Sequence, residues 1–232
     1  MPKKEDITEL DQLRAFIDEY CLIRRKLLEN LYLINRDLEL PRDEIPLSVM
    51  AMISQHIEIA INVFDYYQDN FEKIEDEFWD RINVQERMVY VLVLSIFEYV
   101  AKLYYHENKN RLGLIRDSGG EEKKKLYLRD IISLSQNIDV LDDEECNLWM
   151  GLIEFRNCIV HNNSFSSKTE TFVFPSIKPD KYEYPELYLN FREGEAIESN
   201  FLLFPHLINW SIDSIDKWIR NIAIVNKVTM KA

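Results

Sequence analysis

The chain has 232 residues, 28 Lys plus Arg against 41 Asp plus Glu, a net charge of −13, 47% apolar residues and only 5 glycines. That length suits one domain with an accessory element, or at most two small ones, and the apolar fraction supplies a packed core, which excludes disorder as the overall state. No G-x-G-x-x-G or G-x-x-x-x-G-K-[ST] string occurs, so phosphate binding through a glycine loop drops out. An acidic surface also excludes broad coating of nucleic acid unless positive charge is locally concentrated.

In chain order, Leu10, Leu13, Ile17, Tyr20, Leu27, Leu28, Leu31 and Ile34 recur mostly at spacings of three, four and seven, which predicts one long amphipathic helix over 6–36. Two prolines in LELPRDEIP break it. A second helical pattern covers 47–78, with Ile53, Ile57, Ile61, Phe64 and Phe71 on one side. Its acidic tail of Asp69, Glu72, Glu75, Asp76, Glu77 and Asp80 reads as a solvated face. Over 84–105 the string VQERMVYVLVLSIFEYVAKLYY is apolar nearly all round, as in the central helix of a bundle. Its most lipid-like stretch, Met88 to Phe97, is short of the roughly 20 residues a bilayer span takes.

Gly119 and Gly120 then mark a loop. From Lys102 to Arg129 there are eight Lys or Arg against four acids, the only sizeable stretch whose sign opposes that of the chain. Further helices are expected over 121–137 and 142–161, the latter opened by Asp142 and Asp143 as cap and first-turn acids. Asn162, Asn163 and Ser164 can end it. ELYLNF (186–191) and AIESNFLLF (196–204) around REGE read as a β-hairpin. A last helix runs from Pro205 to about Lys227. The fold class is therefore all-α, with a small β-hairpin insertion near 186–204 before the last helix.

Cys21, Cys146 and Cys158 form no C-x-x-C pair, so neither disulfide framework nor zinc knuckle follows and a cytoplasmic location is expected. Residues 1–20 carry acids where a signal peptide needs an apolar stretch. No membrane partner and no cofactor are implied. His56, His106, His161 and His206 show no metal-ligand spacing, so no metal site is expected. The tryptophans Trp149, Trp210 and Trp218 share helix faces with apolar residues and read as core or dimer interface. Lys123, Lys124 and Lys125 could contact phosphates, although a Lys run after Glu121 and Glu122 more often forms a solvated first turn.

One string carries chemistry: Glu154-Phe155-Arg156-Asn157-Cys158-Ile159-Val160-His161-Asn162-Asn163. Five helical residues turn through about 500°, so Arg156 and His161 sit roughly 140° apart on the helix. They converge only through Arg's reach, fraying of the last turn, or a symmetry mate. An imidazole can take the proton of a ribose 2′-OH or return one to a leaving 5′-oxygen, a guanidinium can bind a phosphoryl group gaining charge, and Asn157 can orient either. An equally direct reading is structural. A His in the last turn is stabilised by the helix dipole, the Asn residues after it cap the helix, and Arg156 pairs with Glu98 or with the neighbours of Glu154.

The string R-N-x-x-x-H-N at a helix end resembles the R-x(4–6)-H signature of the HEPN superfamily, in which a polar residue typically follows the Arg. LSIFEYVAKLYY, with Glu98 after a small residue, is similar to the Glu-bearing helix that precedes the motif helix in many members. The resemblance covers 84–165 in pattern. It implies an N-terminal helical extension over 1–80 and an HEPN-like helical domain over 81–232 that homodimerises to bring the motifs of two protomers into one cleft. Active members are metal-independent endoribonucleases of toxin–antitoxin, abortive-infection and antiphage systems. On that likeness Arg156 stabilises the scissile phosphate, His161 is acid or base, Asn157 supports them, RNA is the substrate, and an antitoxin or other defence protein is a partner. Toxins paired with a nucleotidyltransferase antitoxin carry H-x-Y where this chain has Asn163. Other members are non-catalytic dimerisation or interaction modules, and that is the alternative reading here. A third, resting on charge alone, has the acidic N-terminal helices mimic nucleic acid and mask the cleft.

Overall fold

The computed structural model describes residues 9–38, 45–74, 77–161, 165–178, 183–197 and 203–229. Among them the chain forms α1 (Glu9–Leu38), α2 (Ile45–Asp69), α3 (Phe71–Ile74), α4 (Phe78–Leu112), α5 (Leu128–Asn137), α6 (Asp143–His161), β1 (Glu170–Phe174), β2 (Leu187–Phe191) and α7 (Leu203–Thr229). This is an all-α bundle with a long N-terminal helix and a small antiparallel hairpin before the last helix.

Most of the periodic apolar residues of α1 are buried, but Leu31 is half-buried and Leu28 is exposed. Leu13, Phe16, Ile17, Tyr20, Ile23, Leu27 and Ile34 are all in the core, packed along α2 and against α7. Phe16, Tyr20 and Phe64 interlock with ring centroids 4.9–5.2 Å apart. Helix α4 is the axis of the bundle and meets α2, α5, α6 and α7. Phe97 lies 4.9 Å from Trp149 and 5.3 Å from Trp218. Both indole N–H groups are satisfied inside the core, Trp149 donating to Ser214 Oγ at 2.8 Å and Trp218 to Ser135 Oγ at 3.0 Å. By length and composition Leu47–Asp69 and Phe78–Leu112 could each cross a membrane, but here about half of each apolar window is buried within the bundle.

Local chemistry explains the helix ends that position the site. Asp142 caps α6: its Oδ1 accepts from the Glu145 N–H at 2.8 Å while the Glu145 carboxylate accepts from the Asp142 N–H at 3.3 Å. Lys217 of α7 holds both acids, at 3.0 and 2.6 Å. Helix α4 stops at Gly113, whose φ of +93° favours glycine and whose N–H donates to the Lys109 carbonyl at 3.0 Å. Asn162, Asn163 and Ser164, expected to end α6, lie outside the described residues.

Three expectations are corrected. The single helix over 47–78 is divided: α2 ends at Asp69, and Asn70 turns back to donate from Nδ2 to the Tyr66 carbonyl at 2.9 Å, local bonding that competes with helix continuation. Of the acidic tail, Asp69, Glu72, Glu77 and Asp80 are exposed, and Glu75 and Asp76 lie outside the described residues. The helix expected over 121–137 begins only at Leu128. Residues 121–127 are not helical because their backbone pairs elsewhere: the Lys123 N–H donates to Ile115 O and the Asp117 N–H to Glu121 O, both at 2.9 Å. Finally, the hairpin does not use 196–204. β2 pairs with β1, Phe172 opposite Leu189 and Phe174 opposite Leu187, while Leu203 and Phe204 belong to α7 and 198–202 lie outside the described residues. ETFVF buries Phe172 and Phe174 on one face, and the Phe172 ring packs where Gly151 of α6 has no Cβ, with the ring's Cγ 2.6 Å from where one would stand.

Candidate active site

A pocket of about 540 Å³ opens where the end of α6 meets α4 and the loop before α5. Arg156, Asn157 and His161 all line it, so the 140° that separates the Arg and His on an ideal helix does not keep them from one cavity. Lys102 and Glu98 come from α4, Lys125, Leu126 and Tyr127 from the loop, and Glu154 and Ser167 complete the wall. The basic 102–129 stretch thus reaches the motif. Three fixed cations, Lys102, Lys125 and Arg156, face two carboxylates, Glu98 and Glu154, which makes this wall locally positive in a chain of net −13. Among the described residues no residue of α1 or α2 lines the pocket.

Glu98 organises the cations. Arg156 Nη1 donates to one carboxylate oxygen at 2.6 Å and Lys102 Nζ to the other at 2.5 Å. The Arg156 and Glu98 side chains are only 16% and 14% exposed, so this pair is far less screened than a surface one. Burial pushes the Glu98 carboxyl up, but the hydrogen bonds and charges of Lys102 and Arg156 outweigh it and hold it below the usual carboxylate range. Of the two partners that the sequence offered Arg156, the structure pairs it with Glu98. Glu154, also buried, accepts from Ser167 Oγ at 3.4 Å and lies 3.8 Å from Lys168 Nζ.

Asn157 and His161 make no side-chain hydrogen bond among the described residues, and His161, the last residue of α6, is exposed. Their polar atoms are thus available to a ligand. The other histidines are elsewhere. His206 is buried, its Nε2 3.0 Å from the Pro175 carbonyl, and burial lowers its pKa against the raising effect of that bond. Cys146 and Cys158 are buried free thiols. Among the described residues no three His, Cys, Asp or Glu side chains come together as a metal site.

Sequence reasoning missed Tyr127 and underrated Lys125. The helix expected over 121–137 includes both, with Lys125 in a solvated first turn; the non-helical course of 121–127 carries them to the pocket instead. The signal was present in the charge inversion of the stretch but not in its periodicity. Compared with protein-family models, with curated proteins and with solved structures, the chain matches none.

Proposed function

We propose that this pocket cleaves RNA without a metal ion, as an HEPN-like endoribonuclease acting in a toxin–antitoxin or antiphage role. The observation that carries the reading is the convergence of Arg156, Asn157 and His161 on one cavity with the lysines of the 102–129 stretch. The His161 imidazole takes the proton of the ribose 2′-OH, the 2′-oxygen attacks phosphorus, and the P–O5′ bond breaks with a proton returned to the 5′-oxygen. The products are a 2′,3′-cyclic phosphate and a free 5′-OH. Glu98 engages Arg156 through one terminal nitrogen, which leaves its other N–H groups for the phosphoryl oxygens as charge grows there. Asn157 orients the phosphate or the imidazole.

A second copy of the chain fits the exposed face of α4. Val84, Met88, Tyr99 and Leu103 form an apolar stripe that runs on to Lys102 at the pocket rim, and Val160, beside His161, is half exposed. A dimer on that stripe brings two pockets to one seam and supplies a second Arg–His set.

The test incubates purified protein with RNA in EDTA. Products ending in 2′,3′-cyclic phosphate, reduced at least about 100-fold in both Arg156→Ala and His161→Ala, are expected, from a species sedimenting at twice the chain mass. Undiminished cleavage by both variants sinks the assignment, and a monomer at every concentration sinks the shared seam. The Glu98–Arg156 ion pair favours the second reading, a non-catalytic helical interaction module in which that pair is structural. It predicts no cleavage by any form.

A further inference from the structure

Tyr127 stands at the head of α5, where its N–H donates to the Asp130 carboxylate at 2.9 Å, so its backbone is held. The residue is 48% exposed and borders the pocket of Arg156 and His161. Three ammonium groups gather round it: Lys125 Nζ lies 5.2 Å from the ring centroid, and Lys102 and Lys123 lie 5.8 Å away. Two of the three are neutralised, Lys102 by Glu98 at 2.5 Å and Lys123 by Asp130 at 2.7 Å. Lys125 has no carboxylate partner among the described residues and lines the same pocket.

An open aromatic ring beside an unneutralised cation matches the two parts of a nucleotide. Any base can stack on the ring, and the phosphate next to it can take the ammonium. A base inside a duplex is covered on both faces by its neighbours, so a stacking platform of this kind accepts an unpaired base. About half of the Tyr127 residue stays exposed with the three lysines over its ring, and these side chains are long enough to swing aside for a base. The ring belongs to the wall that also holds Arg156 and His161, so a base on it has its phosphate inside the same cavity.

We propose that Tyr127 and Lys125 form a subsite for one unpaired nucleotide flanking the scissile phosphate, so that the substrate is single-stranded RNA. This rests on the nuclease reading of the pocket. Tyr127 is a specificity residue, since it binds a base and does not touch the reacting atoms.

Binding is measured by fluorescence anisotropy on His161→Ala protein, which holds RNA without cutting it, with labelled oligouridylate of about ten nucleotides and a blunt RNA duplex of the same length as probes. The single strand should bind about 10-fold tighter than the duplex. Adding Tyr127→Ala should weaken single-strand binding about 10-fold and leave the duplex unchanged, whereas Tyr127→Phe and Tyr127→Trp retain it. Lys125→Ala should weaken the single strand less and lower the salt slope by about one. Equal binding of strand and duplex, or single-strand binding indifferent to Tyr127→Ala in a protein whose thermal melt is unchanged, overturns the subsite. If the ring serves only to hold the lysines, Tyr127→Ala weakens strand and duplex alike, which also overturns it. The two readings fail separately. Arg156-dependent cleavage that proceeds on single strands at the parental rate in Tyr127→Ala overturns the subsite alone. Tyr127-dependent single-strand binding by a wild-type protein that cuts nothing supports the subsite and overturns the nuclease.

Discussion

Glu86 and Glu98 are the same residue type on the same helix, about 120° apart around its axis, and their environments drive them in opposite directions. Glu86 is fully buried, and among the described residues neither of its oxygens has a hydrogen-bond partner; Glu19 Oε1 and the Tyr20 hydroxyl are likewise buried and unpartnered there. Burial, with the Glu19 charge adding to it and Arg87 opposing it, pushes Glu86 up to about 9, and burial pushes Glu19 up to about 8. Glu98 is also largely inside, yet two cations hold it ionised. Burial alone therefore does not set the charge of a carboxyl here. The cations available to it decide, and they stand at the α6 end of α4 and not at the α1 side.

The largest expected consequence is in pH dependence. Glu19 and Glu86 keep their protons in the folded chain but lose them near pH 4.5 when it unfolds, so the unfolded state binds fewer protons and stability falls as pH rises from about 4.5 toward 8 and 9. Glu98 has the reverse sign: its depressed pKa contributes stability above its unfolded value, lost as pH falls through the folded one. Between pH 5 and 7 the urea midpoint should drop by the equivalent of roughly 5 kcal/mol. A flat or rising profile there means that the buried pair is ionised and partnered after all, and the contrast with Glu98 disappears.

Next in size is removal of the partnered acid. Glu98→Ala strips the counter-charge from Arg156 and Lys102 and should cost about 2 kcal/mol by chemical denaturation at pH 7, below the full cost of breaking a deeply buried pair because the pocket is open to water. A cost near zero shows that the two cations never depended on it. The smallest effect sharpens the other side. Glu86→Met keeps the volume, removes two unsatisfied oxygens and should stabilise the chain by about 1 kcal/mol at pH 8, with a shallower pH slope than the parent. Destabilisation at pH 8 would mean that the carboxyl has a partner worth keeping.

Much of this was legible in the primary structure. The spacing of Leu13, Ile17, Tyr20 and Leu27 reports the buried face of α1, because a helix repeats its faces every three to four residues. Asp142 announced the start of α6 by its capping chemistry, and Arg156, Asn157 and His161 were named from their string. The hairpin partner was not legible. ETFVF pairs with β2, and its Phe172 packs against Gly151, a contact that no local pattern in the sequence announces. Tyr127 escaped notice and Lys125 was underrated because EEKKKLYLRD satisfies a helical pattern, whereas the backbone before Leu128 pairs with the 115–117 segment instead.

The −13 charge likewise settles only the average field of the molecule, which repels a polyanion approaching most faces. By itself the sequence determined the helical class, the apolar faces and the residue types able to move a proton and bind a phosphate. All of these follow from periodicity and side-chain chemistry within a few turns of chain. Tertiary structure alone decided which charges meet. Lys125 reaches Arg156 and His161 because the 113–127 segment pairs with itself and brings it to the pocket beside Lys102 of α4, while Glu86 is left with the charge of Glu19 near it. Such juxtapositions depend on the relative phase of packed helices, a property that local pattern does not carry.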